Sequence, residues 1–160
     1  MRKIIPILLL TILTMVGCST LDCPLNNTVY TKYKLDGTVT ELTGCTMTVS
    51  TTKRDGEDII LINKDENVDS FILPMSYANS ADTLYFEVQD RLERVFKDTV
   101  IVAKDNQPHF ESIDCSPSYF HTITGVKTTQ HLIDSIVINH KDVNFDATKT
   151  HFLIYFGTRD

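Results

Sequence analysis

"LYFEVQ", residues 84–89, decides the class of fold. Leu84, Phe86 and Val88 fall on one side of an extended chain, and Tyr85, Glu87 and Gln89 on the other. A period of two with apolar residues on one face is the signature of a half-buried β-strand. Working outward, Met47, Val49 and Thr51 alternate likewise, as do Phe152, Ile154 and Phe156. Further strands are expected at Thr28–Leu35, Ile59–Asn63, Val68–Leu73, Thr99–Ala103, Pro108–Asp114, Tyr119–Val126 and Leu132–Asn139. Asp36-Gly37, Asp55-Gly56, Lys64-Asp65-Glu66-Asn67, Asn79-Ser80 and Ser116-Pro117 read as the turns between them. Asp90–Phe96 has room for one helical turn, and no longer helix is expected. The expected fold is all-β: an antiparallel β-sandwich of about 8–10 short strands, immunoglobulin-like in arrangement, with a small barrel as the alternative.

The N-terminus carries a different signal. Arg2 and Lys3 precede an apolar run from Ile4 to Val16, too short to span about 30 Å of hydrocarbon. A basic head followed by a short apolar run is the pattern of a secretory signal. Met15-Val16-Gly17-Cys18 follows, and it resembles the lipobox of bacterial lipoproteins, with Met15 in place of the usual Leu. In that family the cysteine is acylated, with palmitate-type chains, and becomes the first mature residue. The expected organisation is therefore a signal peptide at 1–17, a lipidated Cys18 with a short tether at 18–27, and a single β-sandwich domain at 28–160. More than one acyl chain gives stable anchoring where one is marginal. Ser19 after Cys18 suggests the outer membrane, facing the periplasm, by analogy with other lipoproteins.

Without residues 1–17 the chain has 143 residues, of which Thr, Val and Ile supply 41. β-branched side chains suit a pleated surface. The remaining 13 basic residues face 21 acidic ones, a formal charge of −8. Nucleic acid and anionic membrane surface are disfavoured as ligands.

"CPLNNTVYTKYKL", "FILPMSYANSADTLYFEV", "PHFESIDCSPSYFHTITGV" and "IDSIVINHKDVNFDATKTHFLIYF" together resemble an uncharacterised lipoprotein family of Bacteroidetes, built on a domain of unknown function. The resemblance covers nearly the whole mature chain. It implies a lipid-anchored envelope protein, and it brings no activity and no catalytic residues. Cys45 departs from the pattern expected of that family, which argues against an essential role for it.

The remaining motifs exclude more than they establish. Gly37, Gly44, Gly56, Gly125 and Gly157 are isolated, so no phosphate-cradling loop is present, and there is no G-x-S-x-G or H-E-x-x-H. Cys115 and His121 lie six apart and need not meet as thiolate and base, so a structural cysteine is the expectation. Of His109, His121, His131, His140 and His151, the last two have the placement to face each other across a ladder, which is half a metal site at best. Asp142-Val143-Asn144-Phe145-Asp146 has calcium-loop oxygen spacing, but Ala147 replaces the glycine and Leu153 the closing Glu. No metal and no cofactor is expected.

Asp82-Thr83-Leu84, Asp98-Thr99-Val100 and Asp134-Ser135-Ile136 resemble the O-glycosylation acceptor of Bacteroidetes envelope proteins, at Thr83, Thr99 and Ser135. The plainer account is that Asp ends a turn and Thr enters a strand. With Cys18 acylated, Cys23, Cys45 and Cys115 remain, so one bridge and one free thiol follow. Cys23 and Cys115 both sit at strand ends, and Cys23–Cys115 is the expected pair. It would hold Cys115, Tyr119 and Phe120 near the bilayer. The expected function is a binding or structural module, not an enzyme, meeting an envelope protein or glycan through Tyr85, Tyr119 or Tyr155. The alternative is an envelope hydrolase of glycan or peptide using Glu111 and Asp114, which as strand residues three apart would point to opposite faces.

Overall fold

The computed structural model describes residues 27–53 and 55–157. The expected signal peptide, lipidated Cys18, most of the tether and Cys23 lie outside the described residues. The described chain is all-β, without a helix, in ten strands. They are β1 (Tyr30–Asp36), β2 (Thr46–Thr52), β3 (Asp58–Glu66), β4 (Ser70–Pro74), β5 (Ala81–Gln89), β6 (Val95–His109), β7 (Ser118–Thr128), β8 (Ile133–Ile138), β9 (Asp142–Val143) and β10 (Phe152–Phe156).

A four-stranded sheet in the order β4-β1-β10-β8 faces a six-stranded one in the order β3-β2-β5-β6-β7-β9. Every pair is antiparallel except β1–β10, where Tyr33 lies beside Phe152 and Leu35 beside Ile154. The immunoglobulin refinement does not follow from this order. Immunoglobulin strands divide as ABED and CFG, whereas here β5, β6 and β7 form a consecutive meander in one sheet.

Alternation explains which face is buried. Met47, Val49, Leu84, Phe86, Val88, Val100, Val102 and Ile123 line the inner face of the larger sheet. Tyr33, Leu35, Phe71, Leu73, Ile133, Phe152 and Ile154 line the other. Tyr33 stacks between Phe71 and Phe152 at 5.0 and 4.7 Å, and Phe71 meets Phe86 across the sheets at 5.9 Å. Each such side chain contributes about 1.5–3 kcal/mol by leaving water.

Three local expectations are corrected. Thr99–Ala103 and Pro108–Asp114 are not two strands: β6 runs unbroken from Val95 to His109, and residues 110–117 form a loop. Its pairing with β5 ends at Ala103, so Pro108 lies where only β7 is alongside, the edge-like setting in which proline is tolerated. Asp90–Phe96 is not helical. Its first half is the β5–β6 hairpin turn, where Asp90 Oδ1 accepts from the N–H groups of Leu92 and Arg94 at 2.8 and 2.9 Å, and Glu93 takes φ 61°. The turn read at Lys64–Asn67 begins instead as an irregularity inside β3, with Lys64 at φ 50° where the pairing with β2 shifts register.

Candidate functional site: a polar cluster opening on a cavity

Val100, Val102 and Lys104 occupy successive inward positions of β6. The third is charged, 2% exposed, and sits where β5 has ended and the β6–β7 register shifts. An unpaired buried ammonium would cost several kcal/mol, so the β4–β5 connection wraps it. Lys104 Nζ donates to the carbonyls of Ser76 and Asn79 at 2.5 and 2.6 Å and to Asn106 Oδ1 at 3.1 Å, with Asp82 Oδ2 3.7 Å away. Asp82 in turn accepts from the hydroxyl and N–H of Ser76. Burial pulls Lys104 below the usual lysine range against the opposing pull of Asp82. All three ammonium protons are spent, two on the loop and one on Asn106 of β6 itself, which makes Lys104 a clamp and leaves it no capacity as a nucleophile.

Asn106 passes the cluster on. Its Nδ2 donates to the Asn79 carbonyl at 2.9 Å, so Oδ1 is the atom facing both Lys104 and, at 2.8 Å, His121 Nδ1. An oxygen there can only accept, so His121 carries its ring proton on Nδ1 and Nε2 holds a lone pair. Burial, with help from the Lys104 charge, pushes His121 down to about 4, so the ring is neutral at neutral pH.

His121 forms one wall of a cavity of about 250 Å³. Val29 and Met75 are its apolar lining, and Tyr77, Tyr119, Asn27 and Pro117 are among its other walls. Tyr77 and Tyr119 stack with centroids 5.5 Å apart, and Tyr77 is 68% exposed. Asn27 Nδ2 donates to the Ser116 carbonyl at 3.3 Å, while its Oδ1 is buried without a hydrogen-bond partner. No carboxylate and no cysteine lines this cavity. Two of its lining residues, His121 and Asn27, each carry an acceptor atom without a hydrogen-bond partner, and Tyr77 and Tyr119 make its rim aromatic.

The anticipated residues fall as follows. Tyr119 is at this site, and Tyr85 borders a larger groove, of about 620 Å³, that Tyr77 also lines. Tyr155 is on the other sheet, its hydroxyl donating to Asp36 Oδ2 at 2.9 Å and its ring lying against Gly37, whose φ of 85° suits the turn after β1. Glu111 and Asp114 are exposed in the 110–117 loop, not on a strand, and Glu111 pairs with His109 at 3.2 Å. Cys115 and His121 are separated into loop and strand. His140 and His151 do approach, with ring centroids 5.8 Å apart, but His151 Nδ1 is taken by the Lys32 N–H at 3.0 Å. Among the described residues no group of three or more His, Cys, Asp or Glu is arranged to hold a metal.

In the 142–146 segment Asp142 belongs to β9, paired with Thr122. Asn144 and Asp146 spend their oxygens on their own turn, Asp146 accepting from the Thr148 N–H and hydroxyl. Thr83 and Thr99 are half-buried strand residues and Ser135 is exposed on β8. Cys45 is a free thiol, partly buried, and Cys115 is not one.

The candidate site residues read from the sequence do not include Lys104, Asn106 or Tyr77. A signal for the first was present: a lysine in the inward register set by Val100 and Val102.

None of the curated proteins or solved structures compared with the chain matches it. A family model does match, over residues 46–156, which takes in β2 to β10 and every cavity residue named above except Asn27 and Val29. That is more than half of the chain, which therefore belongs to the Family of unknown function (DUF6452).

Proposed function

We propose that the chain is a lipid-anchored module of the bacterial envelope that binds the terminal sugar of a glycan in the His121–Tyr119 cavity. The observation that carries the binding function is the unspent acceptor pair, His121 Nε2 and Asn27 Oδ1, beneath a stacked tyrosine rim. Sugar hydroxyls are donors, and a pyranose presents a C–H face that packs on an aromatic ring, where contact area comes with little entropy loss. No feature favours the hydrolase alternative, since Glu111 and Asp114 stand apart from the cavity lining.

The anchor rests on Cys18 and the basic-apolar run before it, and the location on Ser19, which favours the outer membrane facing the periplasm. Two facts support Cys23–Cys115. Asn27 is hydrogen-bonded beside Cys115, and four residue steps, about 14 Å at most, separate it from Cys23. Cys45 precedes Thr46, which pairs with Gln89 at the far end of the sheet. A bridge closing about ninety residues contributes about 4–5 kcal/mol in the chain-entropy model. Peptide mapping without reduction should return Cys23 joined to Cys115, and a crosslink through Cys45 would contradict it. Intact mass reports both the acyl chains and any sugar on Thr83, Thr99 or Ser135.

Titration of the protein with envelope glycan fragments, followed by NMR, tests the binding function. Shifts confined to Tyr77, Tyr119 and His121 are expected. No perturbation by any fragment at millimolar concentration, or perturbation centred on Glu111 and Asp114, would overturn it.

A further inference from the structure

The two ends of the sandwich differ in what they show to solvent. At the end where β6 stops, the Ser112 carbonyl accepts from the Cys115 N–H at 3.3 Å and closes a turn that puts Ile113 at its apex. Ile113 is 98% exposed and Phe110 61%, while Cys115 beneath them is buried. Nearby, Phe120 packs between His109 and Phe145, with centroids 4.2 and 5.2 Å away, and Tyr77 stands on the cavity rim. At the opposite end, the hairpin turn at 90–94 presents Arg91, Glu93 and Arg94, with Leu92 and the adjoining Val95 as its exposed apolar residues. Single exposed apolar side chains are ordinary, but several gathered at one end mark an interaction surface.

The chain preceding Asn27 identifies the occupant. Asn27 is tied to Ser116 of the same loop, and Cys18 is nine residue steps away, about 30 Å at full extension. We propose that the 110–117 loop enters the interface of the bilayer that holds Cys18, with Ile113 and Phe110 as the inserted side chains. The inference rests on the lipid anchor proposed above. Glu111 and Asp114 each follow one of the two apolar residues and stay at headgroup level, so zwitterionic lipid is preferred to anionic. Phe and Tyr beside them suit the boundary between headgroups and acyl chains. The cavity opens beside Pro117 of this loop, and so toward sugars carried at the membrane surface.

The chain has no tryptophan, so one introduced at a chosen position is a unique reporter. The full chain carrying I113W, and separately L92W, is isolated after processing in cells, its acylation read from intact mass, and reconstituted in phosphatidylcholine vesicles with or without brominated acyl chains. The expected result is blue-shifted I113W emission, quenched several-fold more by the brominated lipid than L92W emission. An acylated protein whose I113W is quenched no more than L92W overturns this inference alone. Blue-shifted emission without lipid quenching overturns it too, because the loop is then buried against a second copy or another protein. A chain bearing no acyl groups overturns the anchor and this inference together.

Discussion

Asp98 and Lys104 lie on the same strand, six residues apart, on the same inward face, and both are buried, yet they build different things. Asp98 accepts from the Thr129 hydroxyl at 2.6 Å and from the N–H groups of His131, Leu132 and Ile133 at 2.8, 2.7 and 2.8 Å. Burial opposes its ionisation, but those four bonds outweigh it and hold the carboxyl below the usual range. The result stitches β6 to the segment that leaves β7 and crosses to β8 in the other sheet. Lys104 is wrapped as fully, but its chain of partners runs on through Asn106 to His121, an imidazole that lines a cavity. A polar cluster that closes on itself holds the fold together. One that ends on an unspent acceptor is a place for a ligand.

The largest effect should come from the closed cluster. Asp98→Ala leaves three backbone donors and a hydroxyl without an acceptor, and about 3–5 kcal/mol should be lost in urea denaturation. Because its folded pKa is depressed, the stabilisation from Asp98 is present above its unfolded value near 4 and is lost as pH falls through the folded one. Lys104→Met keeps the stem and removes the charge. It orphans the Ser76 carbonyl, takes one of two donors from the Asn79 carbonyl and leaves Asp82 uncompensated, so about 2–3 kcal/mol should go. A cost for Lys104→Met above that of Asp98→Ala would break the comparison.

The pH dependence sharpens it further. His121 is near 4 when folded and about 6.5 unfolded. Between those values the unfolded chain binds the proton and the native chain does not, so stability falls as pH drops from 6.5 to 4. The loss is on the order of 2–3 kcal/mol, and His151, also depressed by burial, adds in the same direction. In His121→Asn the wild-type slope over that window should shrink, as read from denaturation midpoints at each pH. The smallest stability effect belongs to Tyr119→Ala on the cavity rim, about 1 kcal/mol or less, yet it should weaken glycan binding tenfold or more.

How much of this was legible in the sequence divides along the same line. The period of two fixes inner and outer faces for β2, β5 and β10, because burial of one face is a local property of a strand. Strand partners are not local. The parallel β1–β10 pair joins residues more than a hundred apart, and no spacing rule reaches it. Asp98 reads in the sequence as part of an Asp-Thr-apolar triplet. Its carboxylate proved to pin a crossover because residues 129–133, thirty positions on, return to it. The cavity is least visible, since Asn27, Met75, Tyr77, Tyr119 and His121 come from three separate stretches. Tyr119 reads in the sequence as an exposed aromatic, but nothing there places Tyr77 against it.

The most direct test of the open-ended cluster is the ring of His121 itself, by long-range ¹⁵N–¹H correlation in the folded protein between pH 8 and pH 5. The prediction is a neutral imidazole throughout, protonated on Nδ1, with Nε2 bare and shifting when glycan fragment is added. An Nε2–H tautomer, or a ring that titrates near 6.5, would contradict the account.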